Sequence, residues 1–167
     1  MNWIGNQLLN IGEIEKSIDV FKLNMDAYPN SAEVYFSYAT ALLHTGEIDQ
    51  AVEYYKKSLQ LKADHPRAKQ ILAGLSKAKR QQGKTKITLV GHSDAKLVSL
   101  AGSFNDWDKH HTFFHKNGNN WECYVDLAPG TYTYKIVKDG EWILDPANPS
   151  TQKDDYGNTN SVLVVKK

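Results

Sequence analysis

Apolar residues recur at three- and four-residue intervals through the first half of the chain, as in Ile14, Ile18, Phe21 and again in Ile48, Val52, Tyr55. This is the spacing of amphipathic helices that bury one face. A later helix is predicted from His65-Pro66, an N-cap followed by a first helical position, with Ala68, Ile71, Leu72, Leu75 and Ala78 as its apolar stripe. Lys77, Lys79 and Arg80 suit its C-terminal dipole, and Gly83 offers a left-handed stop. From Lys86 onward the period changes to two. Strands are predicted at Lys86 to Val90, Lys96 to Leu100, Trp121 to Leu127, Thr131 to Val137 and Ser161 to Val165. Trp121, Cys123, Val125 and Leu127 share one face. Pro129-Gly130 then turns the chain into Tyr132, Tyr134 and Ile136, which share another. Two sheets over one core is the simplest packing for these strands. The fold class is therefore two domains, all-α then all-β, with residues 1–83 helical and residues 84–167 a β-sandwich.

The helical half repeats itself. Gly12-Glu13-Ile14 returns as Gly46-Glu47-Ile48, an offset of 34 residues. At that offset Ser17 maps to Ala51, Phe21 to Tyr55 and Leu8-Leu9 to Leu42-Leu43. Each unit reads as a helical hairpin whose glycine opens the turn. These residues resemble the tetratricopeptide repeat, in which small residues let paired helices approach and a proline such as Pro29 closes the repeat before a helix begins at Ser31. The repeat's usual tryptophan and glycine are replaced by Tyr35 and Ala39, and Ala63 stands where the first unit has Pro29. The helix from His65 is expected to cap the stack. The register starts the second unit near Ala32, so the first helix reads as truncated, with Trp3, Ile4 and Leu8 lining an incompletely covered end. That end suggests a longer parent protein or self-association through the N-terminal helix.

The second half carries an ordered series: Gly102-Ser103-Phe104-Asn105-Asp106-Trp107, Leu127-Ala128-Pro129-Gly130, Tyr134-Lys135, Asp139-Gly140-Glu141-Trp142 and Asp145-Pro146. Together these resemble the glycogen- and starch-binding modules of AMP-activated protein kinase β subunits, branching enzymes and isoamylases, over about eighty residues. The resemblance implies an immunoglobulin-like (E-set) β-sandwich that holds α-glucan through two tryptophans, a lysine and a later loop. Trp107, Trp142 and Lys135 fit those positions, and Tyr156-Gly157-Asn158-Thr159-Asn160 fits the loop. Tyr156 stands where the kinase modules carry an aliphatic residue and Asn158 where they carry threonine; Asn160 matches the family's polar ligand. The chemistry agrees with these positions, because a pyranose offers C–H groups to an aromatic face and hydroxyls to amides and cations. Trp107 and Trp142 follow turn residues, where a ring is not expected to be buried, whereas Trp121 alternates with core positions.

Charge and composition narrow the rest. Lysine plus arginine number 20 against 19 aspartate plus glutamate, so no net field draws a nucleic acid or an anionic membrane. The single cysteine, Cys123, cannot pair within the chain and is expected to be buried. The chain lacks an apolar run of membrane-spanning length and a leader pattern, which for a complete product implies the cytoplasm. Gly91-His92-Ser93-Asp94-Ala95 follows a strand like a nucleophile elbow, but a strand and not a helix is expected after it. His110, His111 and His115 read as solvated loop residues without cysteine partners or a helical zinc motif. No catalytic residue, metal or cofactor is expected. The reading that follows is a non-catalytic α-glucan-binding module joined to repeats that dock a protein or peptide. Its alternatives are the accessory C-terminal region of a larger hydrolase or esterase, and a scaffold domain that no longer binds sugar.

Overall fold

The computed structural model describes residues 2–80 and 83–166. Met1, residues 81–82 and Lys167 lie outside the described residues. Among the described residues five helices, α1 (Asn2–Asn10), α2 (Ile14–Ala27), α3 (Ala32–Thr45), α4 (Ile48–Leu61) and α5 (Pro66–Arg80), precede nine strands. Two compact units emerge, residues 1–72 and 73–167. Helix gives way to strand between Arg80 and Thr85, whereas the compact units divide between residues 72 and 73, so the last turns of α5 count with the β half. There Gly74 lies against the His111 backbone and the Phe113 ring, and Lys77 reaches Asp126 at 3.7 Å.

In the helical unit the two hairpin turns are built alike. Gly12 and Gly46 both adopt positive φ, 83° and 81°, the left-handed stop that glycine takes without a Cβ penalty. The repeated positions fill equivalent sites: Ser17 and Ala51 are fully buried, as are Phe21 and Tyr55. Tyr55 keeps its hydroxyl satisfied by Thr40 Oγ1 at 2.9 Å, and burial raises its pKa well above the ordinary tyrosine value. At the start of α5 the Ala68 N–H donates to His65 Nδ1 at 3.4 Å, so the cap is an imidazole, and its ring stacks on Phe36 with centroids 4.4 Å apart. Trp3 and Ile4 on α1 are exposed and Leu8 is half-buried.

The β unit is a sandwich of two antiparallel sheets. One is three-stranded, in the order β1 (Thr85–Leu89), β5 (Asn120–Val125), β4 (His115–Asn117). The other runs β3 (Thr112–Phe113), β2 (Val98–Gly102), β6 (Gly130–Lys138), β9 (Thr159–Val165), β8 (Thr151–Lys153), with β7 (Glu141–Ile143) also on β6. Alternation decides the core: Ile87, Leu89, Trp121, Cys123 and Val125 from the first sheet meet Val98, Leu100, Tyr134 and Ile136 from the second. The long β6 strand organises the site. It pairs with β2 along Tyr134–Lys138, and on its other edge β9 takes Gly130–Tyr134 while β7 takes Ile136–Lys138. The ladders of β9 and β7 thus meet end to end beside residue 135.

Candidate functional site

The segment after β2 is closed by one buried side chain. Asn105 Oδ1 accepts the Gly102 N–H at 2.9 Å, while its Nδ2 donates to the carbonyl of Leu100 at 2.9 Å and to Thr112 Oγ1 at 3.3 Å. The Trp107 N–H completes the turn on the Gly102 carbonyl at 3.0 Å. Held this way, Asp106 and Trp107 both adopt left-handed φ, 53° and 58°. Aspartate tolerates that region through its short polar side chain, but for tryptophan it costs about 1–2 kcal/mol. The turn spends that energy on holding a half-buried indole at the surface.

Trp142 arrives by a separate route. The two-residue turn Asp139-Gly140, with φ of 49° and 91°, joins β6 to β7. Asp139 Oδ1 accepts the N–H groups of Lys96 and Leu97, both at 2.9 Å, tying the hairpin to the segment before β2. Tyr134 and Ile136 face the core, so Lys135 and Val137 occupy the opposite face of the sheet. Trp142 pairs with Val137 and shares that face, one diagonal step from Lys135. The rings of Trp107 and Trp142 come together there, centroids 6.5 Å apart and planes 38° apart. Trp142 is 42% exposed.

The loop from Asp154 to Asn158 is gathered around one carboxylate. Asp154 Oδ1 accepts the backbone N–H of Tyr156 at 3.0 Å and of Asn158 at 2.8 Å. Its Oδ2 accepts the side-chain amides of Asn158 at 3.1 Å and Asn160 at 3.4 Å. Partial desolvation pushes the Asp154 carboxyl up, but the hydrogen bonds from Asn158, Asn160 and Tyr156 outweigh it and hold it below its ordinary range. Tyr156 stands almost wholly in solvent at 92% exposure, Asn158 is exposed, and Asn160 is buried at 3%. Ser161 pairs with Tyr134, so one further step of the ladder brings Asn160 level with Lys135 on the outer face. A buried network underlies this edge: the Tyr134 hydroxyl donates to Asp145 Oδ2 at 2.6 Å, and the Asp145 N–H donates to Ser161 Oγ at 2.9 Å.

Of the residues read from the sequence, Trp107, Trp142 and Lys135 converge on one face, with Tyr156 and Asn158 on the neighbouring loop. Asn160 lies beneath that loop with its amide turned to Asp154. Of the side chains that hold the site, Asn105 and Asp139 were read from the sequence only as turn residues of the motif, and Asp154 was not singled out. The available signal was turn chemistry, an Asx residue at the head of each loop.

The other candidates have structural duties. Trp121 is buried, and its Nε1 donates to the His92 carbonyl at 3.0 Å; Lys116 Nζ reaches the Ser93 carbonyl at 2.6 Å. The stretch from Gly91 to Ala95 is thus a corner of the sandwich, with no helix after it. His111 Nδ1 lies 2.9 Å from Thr112 Oγ1, and His110 lies 3.7 Å from Asp108. Among the described residues no three His, Cys, Asp or Glu side chains are grouped to hold a metal ion. Cys123 is a core thiol whose pKa burial pushes up to about 12, against a small opposing pull from Lys77.

Comparison with known proteins bears on both halves. Residues 85–167 match the family described as the glycogen recognition site of AMP-activated protein kinase, and residues 32–65 match the tetratricopeptide repeat. Residues 85–167 belong to this module family. Subunit beta-1 of 5'-AMP-activated protein kinase from Sus scrofa is 38% identical over 72 residues, covering 43% of this chain and 57% of that protein. The phosphoglucan phosphatase LSF1, chloroplastic, of Arabidopsis thaliana is 33% identical over 75 residues, covering 45% of this chain and 12% of that protein. The matched part is thus little more than half of the first relative and a small fraction of the second. Among solved structures a maltogenic amylase from S. marinus covers 49% of this chain and 13% of its own, at 28% identity and a TM-score of 0.45.

Proposed function

We propose that this protein binds α-glucan without acting on it, through the face that carries Trp107, Trp142 and Lys135, and that its helical repeats dock a protein or peptide brought thereby to the polymer. The observation that carries the reading is the pairing of the two indoles, 6.5 Å apart and tilted by 38°. Adjacent platforms at an angle suit a chain whose successive rings turn, as an α-linked glucan does, better than a flat ribbon. The matched module family and the kinase β relatives support the same ligand class. Each stacked sugar contributes apolar burial at about 25 cal/mol per Å², less the cost of ordering, so single sites are weak and the polymer gains by multivalency.

Affinity electrophoresis through glycogen or amylopectin tests the reading. Migration should be retarded, and Trp107→Ala and Trp142→Ala should each relieve the retardation. If migration is unaffected by the polymer, or the variants behave as the parent does, the glucan assignment falls. The docking role of the repeats rests on the tetratricopeptide match at residues 32–65 and is tested by pull-down with residues 1–167 against the same chain carrying charge reversals on α3.

A further inference from the structure

A loop that contributes to weak binding must be ordered beforehand, or its ordering cost consumes the affinity it adds. The segment carrying Tyr156 and Asn158 has little apolar packing of its own: residues 151–158 are all exposed. Its polar groups converge on a single carboxylate. Asp154 collects two backbone N–H groups and two side-chain amides, from Tyr156, Asn158 and Asn160. Its own N–H donates to the Asn158 carbonyl at 2.9 Å, and the Gly157 N–H donates to the Asp154 carbonyl at 3.0 Å, with Gly157 at φ 83°.

We propose that Asp154 is the positioning residue of the glucan-binding loop, holding Tyr156 and Asn158 in place before the sugar arrives. The inference rests on the glucan reading above. Two details make it specific. An ionised carboxylate only accepts, so the Asn158 amide turns its NH₂ inward and its carbonyl oxygen is the end left over for a sugar hydroxyl. Asn160, at 3% exposure, donates its amide to the same carboxylate and so ties the head of β9 to Asp154. The loop therefore moves with the strand that carries it, level with Lys135.

The test measures two quantities on the full chain: hydrogen-exchange protection of the Tyr156 and Asn158 amides without ligand, and calorimetric affinity for maltoheptaose. Asp154→Ala should lose the protection at both amides and bind about tenfold more weakly, the equivalent of ordering a side chain or two at the moment of binding. Asp154→Asn retains one oxygen for the two backbone N–H groups and should keep the protection, but its NH₂ faces the Asn158 and Asn160 amides and turns the Asn158 amide over, so its affinity should fall between those of the parent and Asp154→Ala. If the parent protein binds maltoheptaose and Asp154→Ala binds equally well, the positioning role is wrong. It is also wrong if Asp154→Asn keeps the protection yet binds as weakly as Asp154→Ala. If the parent protein itself fails to bind, the glucan reading is what falls, and retained or lost amide protection in Asp154→Ala still decides whether the carboxylate orders the loop.

Discussion

Trp107 and Trp142 meet on one face of the six-stranded sheet although neither is held by the other: one sits on a left-handed turn after β2, the other on a hairpin tied down by Asp139. Trp121, by contrast, is buried between the sheets at 6% exposure. Truncations should separate these roles. Trp142→Ala should lower the stability measured by chemical denaturation by less than about 1 kcal/mol while relieving retardation by glycogen. Trp121→Ala should cost about 3–5 kcal/mol and abolish binding only through unfolding.

Asn105 governs Trp107. Its removal in Asn105→Ala leaves the Gly102 N–H and the Leu100 carbonyl without the partner that now satisfies them at 2.9 Å each. The expected loss is about 1–3 kcal/mol in a denaturation curve, because buried backbone groups forfeit their hydrogen bonds. The strained φ of Trp107 should relax as well, so maltoheptaose affinity should fall in protein that is still folded. Unaltered affinity in a destabilised but folded variant would show that the turn does not set the indole.

Glu122 predicts an acid limb of stability. Lys86 Nζ donates to it at 2.7 Å, the Tyr124 hydroxyl at 3.0 Å and Asn117 at 3.2 Å; led by the Lys86 contact, these hold its carboxyl below its ordinary 4.5. A depressed carboxylate binds its proton more readily in the unfolded chain. Its contribution is therefore complete above pH 4.5 and lost as the pH falls through the lower folded value. Thermal unfolding followed downward from pH 4.5 should show a steeper decline for the parent protein than for Glu122→Gln.

In the repeats, Asn24 of α2 stands where Ser58 stands in α4, one 34-residue period on. Both are buried, and neither the Asn24 amide nor the Ser58 hydroxyl has a hydrogen-bond partner among the described residues. Ser58 shows that the equivalent site accepts a smaller side chain, and a buried polar group without a partner is costly. Asn24→Ala should raise stability by about 1 kcal/mol in urea denaturation. A loss of stability would mean that the amide is satisfied in solution.

Much of this molecule was legible along the chain because the deciding interactions are local or periodic. A 34-residue echo announced the helical hairpins, and the αL glycines Gly12 and Gly46 sit at the turns it marked. Strict alternation at Trp121, Cys123 and Val125 separated the core tryptophan from those that follow turn residues. The strands that escaped notice, β3, β4, β7 and β8, are two or three residues long, too short for any alternation to declare itself.

The sequence by itself thus determined the two architectures, the core faces and the turns that carry Trp107 and Trp142. Only the tertiary structure decided that those rings stand side by side, that Lys135 lies a diagonal step from Trp142, and that Asn160 is enclosed beneath the Asp154 loop. The reason is that proximity across a sheet depends on register. Where β9 leaves β6 is fixed by pairing between segments far apart in sequence, and Asp139 ties the β6–β7 hairpin to the backbone of Lys96 and Leu97, which no local pattern reveals.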